Sequence, residues 1–439
     1  MNSTKGLSTP APPNRARKRL KDPYGILPRL RVKILYLNPA AQFGGAERSL
    51  LDVMTQVRAL RPDWELSLMA GEEGPLLEAA REIGVAARAI EYPSALARFG
   101  DSAVATSPGG AMWAAKFVAG LASAGVAALS YTPRLRSAIR GERPDVIHSN
   151  GFKTHILAAW AARYSVPVIW HVRDYVRQRP AMSRLLAMHS RRCAIALTNS
   201  RSVADDLRAA CPGISRILPL YNGIDLAKFN PVGASVDLDE LAGLVRSQSA
   251  VVRVGLVATM AQWKGHEIFL RALAMLPRDL PVRGYVIGGS LYRTRGSEAD
   301  LTQLRRLADG LSLNGNVGFT GFIDDAAAAI RSLDIVVHAS TLPEPFGRVI
   351  AESMACGKAV IVSAAGGALE IVTTGQDAMA IAPGDAAALA DSIRQLACAA
   401  HLRSRLGAAA RRTAELRFDR ARMARELIPI YEELGAARN

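Results

Sequence analysis

Short apolar runs and longer helical stretches alternate along almost the whole chain. Val32–Leu37 (VKILYL), Glu65–Ala70, Asp145–Asn150, Val166–His171 and Ala194–Thr198 are the short runs of the first half. Each predicts a strand, with helices between them such as Ala46–Leu60. The stretch Tyr221–Val236 breaks the rhythm with the turn dipeptide Asn222-Gly223, then Pro231 and Gly233. Beyond it the alternation restarts. Val252–Thr259, Tyr285–Ile287, Val317–Thr320, Ile335–His338, Ala359–Val362 and Ala378–Ile381 predict strands, and Lys264–Leu276 a helix. The tail from Arg403 to Gly435 is helical in pattern. Such repetition predicts parallel sheets covered on both faces. We therefore expect an α/β protein of two doubly wound Rossmann-like domains, residues 29–230 and 231–415. A basic disordered arm (1–28) precedes them, and a C-terminal helix (416–439) crosses back to the first domain. Ligands on such sheets bind beyond the carboxyl ends of the strands, so the cleft between two of them is the expected site.

Composition narrows the partners. A 49% apolar chain of 439 residues can bury a sizeable core in each domain. Cys193, Cys211, Cys356 and Cys398 are scattered, which suits a reducing cytoplasm. The first thirty-odd residues are basic and Pro-rich and lack an apolar signal core. The net charge of +16 admits nucleic acid, an anionic lipid surface or anionic small substrates as partners. No Cys/His finger or long basic helix is present and aromatics are only 6%, so we expect no nucleic acid. Ala111–Leu129 has transmembrane length, but it is mostly Ala and Gly with Lys116 inside. It reads as a soluble helix, buried or lying at an interface through Trp113 and Phe117.

The sharpest local signal is Thr341–Lys358, TLPEPFGRVIAESMACGK. Glu344 and Glu352 flank a Pro-Phe-Gly turn whose backbone N–H groups open a helix, a ready anion site. Two carboxylates beside an anion site suit hydroxyls on either side of a diphosphate, the shape of a nucleotide-sugar. By spacing alone they also read as an exposed pair at a helix start. Gly44-Gly45 after the first strand permits close backbone approach, or is a plain strand-to-helix turn. His171, at a strand's carboxyl end, is placed to point into the cleft, or is a structural histidine, and His148 poses the same choice. Lys264-Gly265 puts a point charge at a helix start, within reach of a diphosphate. Gly288-Gly289 after a strand lets a ligand or another backbone approach, with Arg293 and Arg295 following. Asp237-Leu238-Asp239 reads as a solvated helix start and Asp324-Asp325 as an N-cap. We expect no metal and no cofactor, with the helix dipole and Lys264 in a divalent ion's place.

Taken together, GGAE after the first strand, YNGID before the linker, the Lys-Gly turn and EPFGxxxxE resemble a GT-B glycosyltransferase of the glycosyltransferase 4 family. The resemblance runs from about Arg31 to the C-terminus. It implies a retaining, metal-independent hexosyltransferase working on a nucleotide-diphosphate-sugar donor, with His171, Lys264 and Glu344 at the reacting centre. Glu352 would bind the ribose and Glu344 a donor-sugar hydroxyl. The amides of Phe346 and Gly347 would meet the sugar or phosphate end, and Lys264 the diphosphate. His171 would touch the donor sugar, and Gly44 and Gly45 would lie near the phosphate and acceptor. Phe322 falls where nucleobase contacts lie. Gly288, Thr259 and Arg348 complete the expected donor-binding set. The family usually carries an arginine five residues before the lysine, where this chain has Thr259. The loss of such a charge costs roughly a few kcal/mol of transition-state stabilisation. The implied acceptor is a glycan or lipid-linked intermediate of cell-surface polysaccharide or glycolipid synthesis. An anionic membrane surface is a further expected partner, and the implied location is cytoplasmic, peripheral at the inner face of the plasma membrane. A nucleotide-sugar epimerase on the same fold and a catalytically weakened nucleotide-sugar-binding protein are the alternatives.

Overall fold

The structure, a computed structural model, describes residues 31–98, 111–162, 165–247, 249–289 and 301–437. The side chains of 111–119 and 121 are outside that description, as are the basic arm, Arg293 and Arg295. The contacts expected of Trp113 and Phe117 therefore fall outside the described residues.

The chain forms two parallel sheets. The first contains β1 (Lys33–Asn38), β2 (Glu65–Ala70), β3 (Ala86–Ala89), β4 (Val146–Asn150), β5 (Val168–Val172), β6 (Cys193–Thr198) and β7 (Ile217–Pro219) in the order β3-β2-β1-β4-β5-β6-β7. The second contains β8 (Val252–Val257), β9 (Val282–Ile287), β10 (Val317–Gly321), β11 (Ile335–His338), β12 (Ala359–Ser363) and β13 (Met379–Ile381) in the order β10-β9-β8-β11-β12-β13. Strand order reverses between β1 and β4 and again between β8 and β11, and each reversal opens a crevice at the strands' carboxyl ends. The expected doubly wound pair is thus what the chain builds. β3 and β7 were not anticipated. AARA offers no apolar run, and Ile217–Pro219 is only three residues long.

Central strands are buried along their length because helices cover both faces. Helix Gly45–Leu60 buries Leu50, Val53, Met54 and Val57, a stripe at helical spacing. Each such side chain contributes on the order of 1.5–3 kcal/mol relative to exposure. The Ala-rich segment is longer than expected. It is one helix, Ala111–Glu142, that runs through Pro133 and buries Ala128, Tyr131, Leu135 and Ile139 in the first domain's core, packed on helix Phe152–Ala162. No described helix is long and apolar enough to cross a membrane. The final helix, Arg420–Ala436, packs on the first sheet's other face, with Met423, Leu427 and Tyr431 in the core beside Val53 and Trp64. The two passages between domains touch. Ile224 N–H donates to Phe418 O at 2.6 Å and Arg420 N–H to Ile224 O at 3.2 Å.

Candidate functional site

Between the two sheets lies a cleft of about 690 Å³. Its second-domain wall is built at the β8/β11 reversal. The loop after β8 carries Lys264 and the loop after β11 carries Glu344. Gly265 joins these loops. Its φ is +77°, and a Cβ there would stand 1.9 Å from Ala339 O, so only glycine lets them close together. Glu344 Oε2 consequently accepts from Lys264 Nζ at 2.8 Å and Ser340 Oγ at 3.0 Å, and faces His338 Nε2 at 3.2 Å. Burial pushes the Glu344 carboxyl up, but Lys264 and His338 outweigh it and hold the group well below the usual carboxylate range. Lys264 Nζ also lies 4.0 Å from the centre of the Trp263 ring.

Gly347, at φ +90°, precedes helix Arg348–Ala355, and Gly347, Arg348 and Val349 line the cleft. The helix start, whose first N–H groups have no partner within the helix, thus borders the gap. One turn on, Glu352 Oε1 accepts from Arg348 Nε at 2.9 Å. Arg348 Nη1 reaches across to Asp52 of helix Gly45–Leu60 at 3.1 Å and donates to Gly223 O at 3.3 Å. Burial raises the Glu352 carboxyl, and Arg348 pulls against that rise. Asp52 continues the chain of charges to Arg420 at 3.5 Å, and Arg420 to Asp225 at 2.8 Å.

Thr259, Lys264, Phe322, Glu344, Gly347, Arg348 and Glu352 line the cleft from the second domain, and Gly44 and Gly45 from the first. Phe322 is 54% exposed. The Gly44 amide is already committed to Glu47 Oε2 at 3.1 Å, whereas Gly45 has open space where a Cβ would be. Gly288 and His171 stand elsewhere, and Phe346 turns only its ring away, its expected contact being a main-chain amide. Gly288 packs on backbone, since a Cβ there would meet Ala258 O at 1.9 Å, so the fold itself requires glycine at this position. The Phe346 ring is buried against Phe418 and Tyr221, leaving only main chain at that point. His171 does not open into the cleft. It is fully buried, its Nδ1 3.0 Å from His148 Nε2, whose Nδ1 meets Tyr431 OH at 2.7 Å. The reason is register. β5 ends at Val172, so His171 is still inside the strand, and Arg173 is the first residue beyond it.

Arg173 and Asp174 accordingly line the cleft. Arg173 Nε donates to Asn150 Oδ1 at 2.6 Å, and Nη1 to Ser49 Oγ at 2.8 Å and Asn222 Oδ1 at 2.7 Å. Sequence reading missed its role, along with those of Asp52 and Asn222. The available signal was that Arg173 stands two residues after His171, on the same side of the strand and one step past its end. Asp239, expected to be solvated, is instead buried. It accepts from Tyr285 OH at 2.6 Å and Arg283 at 2.7 Å. Asp325 does cap its helix, accepting from the amides of Ala327 and Ala328. Among the described residues, no three His, Cys, Asp or Glu side chains gather as ligands for an ion.

The comparisons with known proteins follow the same division. Residues 43–228 match the family model described as Glycosyltransferase Family 4, and residues 251–413 the one described as Glycosyl transferases group 1. An uncharacterized glycosyltransferase of Methanocaldococcus jannaschii is 26% identical over 49% of this chain and 52% of its own length. The lipopolysaccharide core biosynthesis glycosyltransferase LpsE of Rhizobium meliloti is 31% identical over 36% of this chain and 43% of its own. These matches thus span about half of the curated relatives' length. Among solved structures, Anabaena HepE in complex with UDP-glucose superposes with a TM-score of 0.73 at 22% identity, covering 92% of this chain and 100% of that one. At that identity the likeness speaks for the fold. With both domains matched in order around one cleft, the chain belongs to the glycosyltransferase 4 type of GT-B glycosyltransferases.

Proposed function

We propose that this chain moves a hexose-type sugar from a nucleotide-diphosphate-sugar to an acceptor hydroxyl, with retention and without a metal ion. One observation carries the reading. A part-buried Lys264–Glu344 pair, a helix start at Gly347 and a second, part-buried acid, Glu352, share one cleft wall at the β8/β11 reversal. The helix start and Lys264 suit a diphosphate, and the flanking acids suit hydroxyls on either side of it. The UDP-glucose complex of HepE, on the same fold, supports a donor of this kind.

In this reading the anomeric C–O bond breaks with oxocarbenium character. The charge growing on the leaving diphosphate is met by Lys264 and the helix amides. Glu344 grips a donor-sugar hydroxyl and Glu352 the ribose. The acceptor hydroxyl attacks from the face the diphosphate leaves, and a departing phosphate oxygen takes its proton. Closure of the two domains dries the cleft.

A thermal-shift panel of nucleotide-sugars tests this, because a ligand that binds only the native state raises its apparent stability. At least one should raise the unfolding midpoint, and Glu352→Ala should lose most of that rise. A panel that leaves the midpoint unmoved removes the proposal.

The acceptor is read as a glycan or lipid-linked intermediate met at the inner face of the plasma membrane. Residues 111–192 hold thirteen Lys and Arg against three Asp and Glu, so +10 of the net +16 lies there. Val126 and Leu129 of the same segment are 70% and 68% exposed. A basic surface with exposed apolar side chains suits anionic lipid headgroups. Flotation with vesicles containing phosphatidylglycerol should carry the protein up at low salt, and its remaining at the bottom would end this part of the reading.

A further inference from the structure

The cations lining the cleft are not equally compensated. Lys264 is paired with Glu344, Arg348 with Glu352 and Asp52, and Arg179 with Asp174. Arg48 and Lys228 are exposed, so water solvates their charge. Arg173 belongs to neither group. Its four hydrogen-bond partners are the Asn150, Asn222 and Ser49 oxygens and His171 Nδ1 at 3.2 Å, all on neutral side chains. Among the described residues it forms no ion pair with a carboxylate.

Proton bookkeeping shows how firmly the group is set. A guanidinium only donates, so His171 Nδ1 is an acceptor. His148 Nε2 then carries a hydrogen and donates to that same Nδ1, while His148 Nδ1 accepts from Tyr431 O–H. Donation therefore converges on His171 Nδ1, from the final helix through His148 on one side and from Arg173 on the other, and burial keeps both imidazoles neutral. Of the guanidinium's five N–H groups, four are engaged and one on Nη2 is left over. A part-buried cation held without a directly paired carboxylate is left incompletely compensated. Burial draws Arg173 down to about 9, against the pull of Glu47. Glu47 itself is engaged with Gly44 N–H and Asn38. Asp52 also attracts Arg173 but is paired with Arg348 and Arg420, so neither carboxylate pairs directly with this guanidinium.

We propose that Arg173 binds the donor's diphosphate from the first-domain wall, opposite Lys264, supplying a charge that the second wall lacks at Thr259. This rests on the nucleotide-sugar reading above. The Asn150–Ser49–Asn222 cradle holds the guanidinium in place before the ligand arrives, so little side-chain entropy is lost on binding. Because Lys264 shares its charge with Glu344, Arg173 is the cleft's larger source of uncompensated positive potential.

Calorimetric titration tests this with UDP, GDP and ADP, each against its own nucleoside. For whichever diphosphate the wild-type chain binds most tightly, Arg173→Met should weaken binding by about 10–100-fold, the scale of a lost charge-assisted hydrogen bond. Nucleoside binding should change little. Thr259→Arg added to Arg173→Met should restore much of the diphosphate affinity and not alter that of the nucleoside. Arg173→Lys keeps the charge but not the fork, and should fall between. It also serves if Arg173→Met fails to fold, because it should still prefer the diphosphate to the nucleoside. Equal losses for diphosphate and nucleoside, or no loss with either, would overturn the assignment while leaving the donor reading intact. A wild-type chain that binds none of the three diphosphates would overturn both.

Discussion

The two walls of the cleft follow opposite electrostatic plans. On the second-domain wall the two acids that flank the helix start are matched at close range, Glu344 with Lys264 and Glu352 with Arg348. On the first-domain wall a cation stands among amides, a hydroxyl and an imidazole. The matched wall can exchange partners, because a ligand hydroxyl or phosphate replaces one half of an existing pair. The unmatched wall has nothing to exchange and can only gain. The difference teaches that a binding surface can hold charge in reserve in two ways. It can pair charges loosely enough to be re-paired, or fix one rigidly and leave it unanswered.

Breaking the matched wall should have the largest effect. Lys264→Met removes the charge that the proposed function sets against the leaving group, and on that reading transfer should fall by about 10²–10³-fold at saturating substrate. The same change leaves Glu344 buried without its main counter-charge, so its carboxyl should titrate at higher pH than in the parent. Carboxyl-resolved NMR titration checks the second effect independently of turnover. A variant with unchanged kcat would mean that the pair is only structural.

The link between the walls should matter less. Asp52→Asn removes the first domain's hold on Arg348, a part-buried pair of moderate strength. We expect kcat to drop about 3–10-fold, with nucleotide affinity nearly unchanged, because Arg348 still orients Glu352. Steady-state kinetics with parallel nucleotide titration separates the two. An equal loss in both would show that Asp52 acts on the nucleotide site rather than between the walls.

A third effect, on stability rather than turnover, most sharpens the contrast, and it is in pH. Burial keeps His148 and His155 neutral down to about 3, and His171 likewise far below its ordinary value. Unfolded, each would titrate near 6.5. Between those limits the unfolded chain binds protons that the folded chain refuses. Stability from these groups is therefore complete above about pH 6.5 and is lost as pH falls toward 3, by up to about 1.4 kcal/mol per histidine per pH unit. Glu344 is depressed too, but its contribution is lost only below the ordinary carboxylate range. Hydrogen exchange at pH 5 should show the first domain losing protection before the second. Simultaneous loss in both would mean that these histidines do not set the acid response.

Much of this architecture was legible in the sequence. Apolar runs separated by helices specify parallel strands, because only strands buried on both faces need such runs. The second-domain wall was legible because its residues are local in sequence. Glu344, Gly347, Arg348 and Glu352 lie within one turn and one helix, so their spacing carries their geometry. The first-domain wall was not. Arg173 is held by Ser49, Asn150 and Asn222, brought together from a helix, a strand end and the interdomain turn, and no local pattern announces such a meeting. His171 was misplaced because the choice depended on where β5 stops, and a strand's end is not fixed to a single residue by its hydrophobicity. Asp239 was taken as solvated because Arg283 and Tyr285, which bury it, come more than forty residues later.

The crossing near Ile224 and Phe418 has a mechanical consequence. The chain passes between domains twice, and the passages are hydrogen-bonded and lie so close that a Cβ on Gly223 would come within 2.4 Å of Arg420 Cα. Two tethers fastened side by side act as one pivot, restricting the halves to swinging about a single axis near the rim of the gap. Arg420, at that axis, also touches Asp225 and Asp52. A swing that opened the gap would pull first on the ion pairs farthest from the pivot and last on these, so the rim loosens while the axle stays fastened.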